Sequence, residues 1–245
     1  MWIGRKFALK NTDNNFENLM IYYGELYRKY GYVRFKMSKF EEYDLYAENR
    51  NFLISNNIIT FTERNGRLMA LKPDVTLSIV KNSVGSGSVN EKVFYNESVY
   101  RQSKSTGTFK EQLQVGIENI GKIDTYSMGE TVMLAAKSLE AICTDYILDL
   151  SHAGVISSLV GKLSISDPET ENRIKTLIAS RNINEIRRVC TAVNADPEIT
   201  ELLVSVISMY GNFEKVYCEL CKTCDGIVER SVLEELREVY EVLKL

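Results

Sequence analysis

Apolar and polar positions change their rhythm along this chain. Residues 16–30, FENLMIYYGELYRKY, carry apolar side chains at helical spacing, and Gly31 follows where helices commonly end. YVRFKMS (32–38) alternates like a strand. IITFTERNGRLMAL (58–71) reads as a hairpin closed at Asn65-Gly66, a dipeptide suited to tight turns. Residues 92–101 and 112–121 predict a second hairpin, joined by a polar, glycine-containing loop.

After Gly121 the pattern turns helical. MGETVMLAAKSLEAICTDY (128–146) predicts an amphipathic helix and ILDLS (147–151) a short strand. From Ala153 onward nearly every stretch reads as helix. Asp167-Pro168 and Asp196-Pro197 each suit an N-cap followed by proline in the first turn. A strand-rich front and a helical back predict an α+β fold, an antiparallel sheet with helices packed on it.

The second hairpin carries the candidate chemistry. On its return strand Gln114, Gly116 and Glu118 share one face, and Val115 and Ile117 the other. An amide and a carboxylate project side by side, with a glycine between them that would let a ligand approach. That arrangement suits a small cationic or amine-bearing ligand better than a phosphate. Upstream, LKPDVTLSIVKN (71–82) sets Pro73 before Asp74, which can cap a helix starting near Val75.

Composition narrows the function. Of 245 residues, 44% are hydrophobic and 26% charged, ordinary for a globular protein. A net charge of −3 argues only weakly against a nucleic-acid partner such as tRNA, which is not expected, and it leaves room for a local basic patch. No stretch reaches the roughly 18 apolar residues of a membrane span. The N-terminal MWIGRKFALKNTDNNF lacks a signal peptide's apolar core, and a cytoplasmic location is expected. Five cysteines, an odd number, point to thiols and not to disulfides. Cys218, Cys221 and Cys224 have a metal-like spacing. They fall in a helical segment without a nearby fourth Cys or His, so no metal is expected. His152, the only histidine, sits at a turn into a helix, where a structural role is expected.

Taken in order, LKPDVT, FYNESVYR, a polar loop and QLQVGIENIG resemble the class II aminoacyl-tRNA synthetase core. More narrowly they are similar to histidyl-tRNA synthetases and their paralogue, the regulatory subunit of ATP phosphoribosyltransferase. The resemblance covers about residues 14–152, and His152-Ala153-Gly154-Val155 is similar to the H-x-G-V that opens the family's helical insertion. It implies a core over 1–152, without its closing motif, and a helical insertion region over 153–245. It also implies a histidine-binding set: Asp74 and Thr76 for the amino group, Gln114 and Glu118 on the amino-acid strand, and Arg101 for carboxylate or phosphate.

Departures from the family pattern shape the functional expectation. The glutamate that reads adenine in the enzymes is Ser103 here. The arginine after the loop glycine is Thr108, the next is Lys110, and the first motif's arginine is Lys72. Lysine keeps the charge but not the planar two-point grip. Ser38 stands where the dimer-interface motif has proline. The family's R-G-L-x-Y-Y-T-G segment and the glycine-rich strand after it do not occur within residues 1–245. The chain is expected either to be a trimmed piece or to have lost these parts. No catalytic residue and no cofactor is assigned. The resemblance therefore implies a non-catalytic regulatory subunit, required for activity and histidine feedback of a short-form ATP phosphoribosyltransferase. Its partners would be that catalytic subunit, free histidine, and a second copy of itself within a hetero-oligomer. The alternative is a fragment of a histidyl-tRNA synthetase.

Overall fold

A computed structural model describes residues 12–49, 57–83, 90–103 and 105–244. The reading of residues 1–11 as free of a signal peptide lies outside them. Two compact units result, Met1–Tyr146 and Ile147–Leu245.

The first unit opens with helix α1 (Thr12–Lys29). Gly31, at φ +84°, ends it in the left-handed conformation that glycine adopts without steric cost. The Gly31 amide donates to the Arg28 carbonyl at 3.0 Å and the Tyr32 amide to the Tyr27 carbonyl at 3.1 Å. The Tyr27 and Tyr32 rings meet across this closure.

Strand β1 (Val33–Arg34) pairs parallel to β5 (Glu91–Gln102), which pairs antiparallel to β6 (Phe109–Ile120). The sheet is therefore mixed, in the order β1-β5-β6. The strand expected over 32–38 shrinks to two residues. Its alternation is real, since Phe35 and Met37 pack against Val75, Ile79 and Val99, but it reports a buried face and not a ladder of paired backbone.

A second sheet has the order β2-β4-β3, with β2 (Phe40–Glu42), β3 (Thr60–Thr62) and β4 (Leu68–Leu71) all antiparallel. Helix α2 (Tyr43–Glu48) follows β2 directly. The β3–β4 hairpin closes at the expected place. The Gly66 amide donates to the Glu63 carbonyl at 2.9 Å, and Gly66 takes φ +85°. Helix α3 (Thr76–Asn82) comes after β4.

The β5–β6 hairpin has two working faces. Phe94, Val115 and Ile117 bury against Tyr23, Leu26 and Tyr27 of α1 and Leu134 of α4 (Thr125–Glu140). The opposite face carries Val93, Tyr95 and Val99 against Val75 and Ile79 of α3 and its approach. Helix α4 differs from the expected 128–146 at both ends. The Asp124 carboxylate accepts from the Ser127 amide at 2.8 Å and starts the helix earlier. Beyond Glu140, Ile142 is exposed, so no apolar face sustains further turns. The short strand expected over 147–151 is not formed; those residues are irregular.

From Ala153 the second unit is built of helices: α5 (Ala153–Lys162), α6 (Pro168–Ala179), α7 (Ile183–Ala192), α8 (Pro197–Ser208), α9 (Phe213–Thr223) and α10 (Arg230–Val242). One core unites them, with Leu159, Ile174, Ile186 and Leu203 fully buried. Asp167 and Asp196 cap α6 and α8 as the Asp-Pro pairs predict. No described helix is long and apolar enough to cross a membrane.

Candidate functional site

The site begins where β4 turns into α3. Two bonds pin that turn to β5: the Tyr100 amide donates to the Lys72 carbonyl at 3.0 Å, and Arg101 Nε donates to the Pro73 carbonyl at 2.7 Å. Asp74 Oδ1 accepts from the Leu77 amide at 3.1 Å, the capping contact its position predicts. Asp74 Oδ2 faces Arg101 Nη2 at 3.4 Å.

Strand register supplies the rest. Opposed residues on an antiparallel pair share a face. Glu97 stands opposite Gln114, Tyr95 opposite Gly116, Val93 opposite Glu118 and Arg101 opposite Lys110. With its amide turned so that oxygen faces the guanidinium, Gln114 accepts from Arg101 Nη1 at 3.1 Å and Nη2 at 3.3 Å. Thr76 Oγ1 donates to Glu118 Oε1 at 2.7 Å.

Thus the structure gathers all five expected residues beside α3 and the hairpin. Asp74, Arg101 and Gln114 form one hydrogen-bonded group, and Thr76 with Glu118 forms its neighbour. Arg101 is only 8% exposed, and its guanidinium is engaged by the Pro73 carbonyl, Asp74 and Gln114. It holds the Pro73 carbonyl, Asp74 and Gln114 in a fixed arrangement.

Charge is unevenly balanced across this group. Asp74 is matched by Arg101. Glu118 has no cationic partner among the described residues. Burial pushes its carboxyl above the ordinary value, the Thr76 hydroxyl opposes that shift, and the Asp74 charge adds to it. A half-buried carboxylate held this way gains most from a bound cation.

Two features of this face escaped the sequence reading. Lys72 is fully buried, and its Nζ lies 2.6 Å from Glu97 Oε2. Glu97 stands opposite Gln114 in the β5–β6 register. Tyr95 is the second. A Cβ built on residue 116 would fall 2.5 Å from Tyr95 Oη, so the phenol itself covers Gly116. The glycine expected to admit a ligand instead admits this ring. Period-two alternation through Tyr95, Glu97, Val99 and Arg101 was the available signal.

The hairpin loop turns inward on itself. The Ser103 amide donates to the Thr108 carbonyl at 2.8 Å, and the Gly107 amide to the Ser103 carbonyl at 2.9 Å. Ser103 Oγ pairs with Ser105 Oγ at 3.0 Å, and Thr108 Oγ1 with Thr106 Oγ1 at 2.7 Å. Neither side chain carries the charge that a nucleotide grip uses.

In the second unit, His152 caps α5. Its Nδ1 accepts from the Gly154 amide at 3.1 Å, which places the proton on Nε2, 2.9 Å from Glu235 Oε2. Cys218 and Cys221 lie on α9, with Cys224 buried at its end. Among the described residues, no group of three or more His, Cys, Asp or Glu could hold a metal ion.

Comparison with known proteins places these observations in a family. The model of the histidyl-tRNA synthetase family matches residues 4–245. An ATP phosphoribosyltransferase regulatory subunit of Caldanaerobacter subterraneus subsp. tengcongensis is 28% identical over 228 residues, covering 90% of this chain and 58% of the relative. A histidine–tRNA ligase of Methanocaldococcus jannaschii is 26% identical over 219 residues, covering 88% and 48%. The chain thus spans about half the length of the curated relatives it matches. A solved ATP phosphoribosyltransferase regulatory subunit/histidyl-tRNA synthetase from Bacillus halodurans shares the fold, with a TM-score of 0.77 at 20% identity, over 98% of this chain and 64% of that one.

Proposed function

The chain belongs to the histidyl-tRNA synthetase family, and we propose that it acts there as a non-catalytic regulatory subunit of ATP phosphoribosyltransferase, binding histidine without activating it. One observation carries this reading. The amino-acid set Asp74, Thr76, Arg101, Gln114 and Glu118 is assembled and hydrogen-bonded, while the adenine and phosphate positions of the hairpin loop hold Ser103 and Thr108. An adenylation transition state needs cationic groups aimed at its developing phosphate charge. Serine and threonine hydroxyls bonded to their loop neighbours do not supply them.

The regulatory name of the Caldanaerobacter relative supports the same reading. In this role the partner is a short-form catalytic subunit, and histidine feedback requires that histidine favour one state of the assembly over another. The ligase name of the Methanocaldococcus relative supports the second reading, a portion of a histidyl-tRNA synthetase.

Two assays separate the readings. Adding the chain to a short ATP phosphoribosyltransferase catalytic subunit is expected to raise its activity, and histidine is expected to reverse the gain. With ATP, histidine and labelled pyrophosphate, the chain is expected to give no exchange of label into ATP. Exchange above background would establish amino-acid activation and overturn the regulatory reading.

A further inference from the structure

We propose that Lys72 is a positioning residue of the cradle: by holding the Glu97 carboxylate it reserves Arg101 for Asp74 and Gln114. The inference rests on the amino-acid-binding reading above and gives this buried cation a part in it.

Strand register brings the competing groups together. Glu97 and Arg101 share one side of β5, with Glu97 opposite Gln114 and Arg101 opposite Lys110. Arg101 does not point straight across the hairpin. Its guanidinium meets Gln114 at 3.1 and 3.3 Å, although Gln114 lies four residues along β6 from Lys110. The side chain therefore runs back along β5 and ends beside the residue that faces Glu97. Glu97 is a rival acceptor for that guanidinium.

Distances show which pairing needs protection. Arg101 Nη2 lies 3.4 Å from Asp74 Oδ2, longer than the roughly 2.7–2.9 Å of a strong charge-assisted bond. Lys72 Nζ lies 2.6 Å from Glu97 Oε2, with the Lys72 side chain fully buried. A buried ammonium left without its acid is strongly destabilising, so this pair stays together. The Lys72 backbone fixes where the ammonium arrives. Its amide donates to the Lys39 carbonyl at 3.2 Å, and its carbonyl accepts from the Tyr100 amide at 3.0 Å.

Lys72 thus removes a competitor. With Glu97 matched by Lys72 and Asp74 by Arg101, Glu118 is the carboxylate of these three that a ligand's cation meets. Without the Lys72 charge, Glu97 would draw the guanidinium from Asp74, and the Asp74–Arg101–Gln114 group would lose its arrangement. Choice of partner is set here by cancelling the alternative.

The test changes charge and little else. Lys72→Gln keeps a hydrogen-bond donor near Glu97 but removes the positive charge. The double variant Lys72→Gln/Glu97→Gln removes the rival charge as well. Calorimetric titration with L-histidine is expected to show affinity about tenfold lower in the single variant and within about threefold of wild type in the double. A pair serving stability alone would lower the urea midpoint of Lys72→Gln and leave the affinity of the folded protein unchanged. That unchanged affinity, or a double variant well below wild type, overturns the proposal. The double variant carries no unpaired buried charge, so its arm stands even where the single variant folds poorly. A ligand-free measurement separates this inference from the reading beneath it. Arg101 Nε–H, which donates to the Pro73 carbonyl at 2.7 Å, should give one slowly exchanging NMR resonance in the wild type. It should move in Lys72→Gln and return in the double variant. A resonance unmoved by Lys72→Gln overturns the positioning role whether or not histidine binds. The expected resonance pattern without histidine binding overturns only the amino-acid-binding reading.

Discussion

At the scale of single residues, Glu118 is where environment and function meet. Burial holds its carboxyl above the ordinary 4.5, against the Thr76 hydrogen bond and with the Asp74 charge. An acid with a raised folded pKa keeps its proton longer in the folded state. Its contribution to stability is therefore greatest below the unfolded value and falls as pH rises through the folded one. A bound cation favours the ionised form, so affinity for an amine should rise across the same window. Binding at a pH within that window should then release protons, seen as a dependence of calorimetric heat on the buffer's ionisation enthalpy. That dependence should shrink in Glu118→Gln; identical dependence in both proteins would remove Glu118 from the ligand's surroundings. That these five side chains would lie together was legible from motif order and from strand alternation. Tyr95 was not, and Lys72 was read only as a replacement for the first motif's arginine, because the contacts of both residues are tertiary.

Among the elements, those closed by local chemistry were read most closely. Asn65-Gly66 marks the β3–β4 turn, the Asp-Pro pairs start α6 and α8, and Gly31 stops α1. Gly31 offers a direct check. No atom lies within 4 Å of where its Cβ would sit, so Gly31→Ala adds no clash and isolates the conformational cost. Left-handed backbone costs an L-residue about 1–2 kcal/mol, partly offset by lower unfolded-state entropy. A net loss of about 1 kcal/mol in urea unfolding is expected, and an unchanged midpoint would mean that the helix end rearranges. Elements defined by tertiary contact were read poorly. ILDLS alternates but finds no strand to pair with, and YVRFKMS buries a face while pairing over only Val33–Arg34. Alternation records which side is dry, and says nothing about where backbone hydrogen bonds find partners.

For the whole molecule, the strand-rich front and helical back were visible in the hydrophobic rhythm, and each half forms its own compact unit. The cradle belongs to the first unit, where a helix turn and a hairpin hold an arginine, two carboxylates and an amide in fixed relation. We propose that this arrangement binds a free amino acid through the unmatched charge of Glu118. It is tested most directly by calorimetric titration of L-histidine into the wild-type chain and into Glu118→Gln, which keeps the side chain's shape and its acceptor for Thr76. Hydrogen bonds to a charged group contribute about 1.5–3 kcal/mol. We predict saturable binding at one site per wild-type chain, and affinity reduced by about 10- to 150-fold in the variant. Equal affinities in the two proteins would contradict the account.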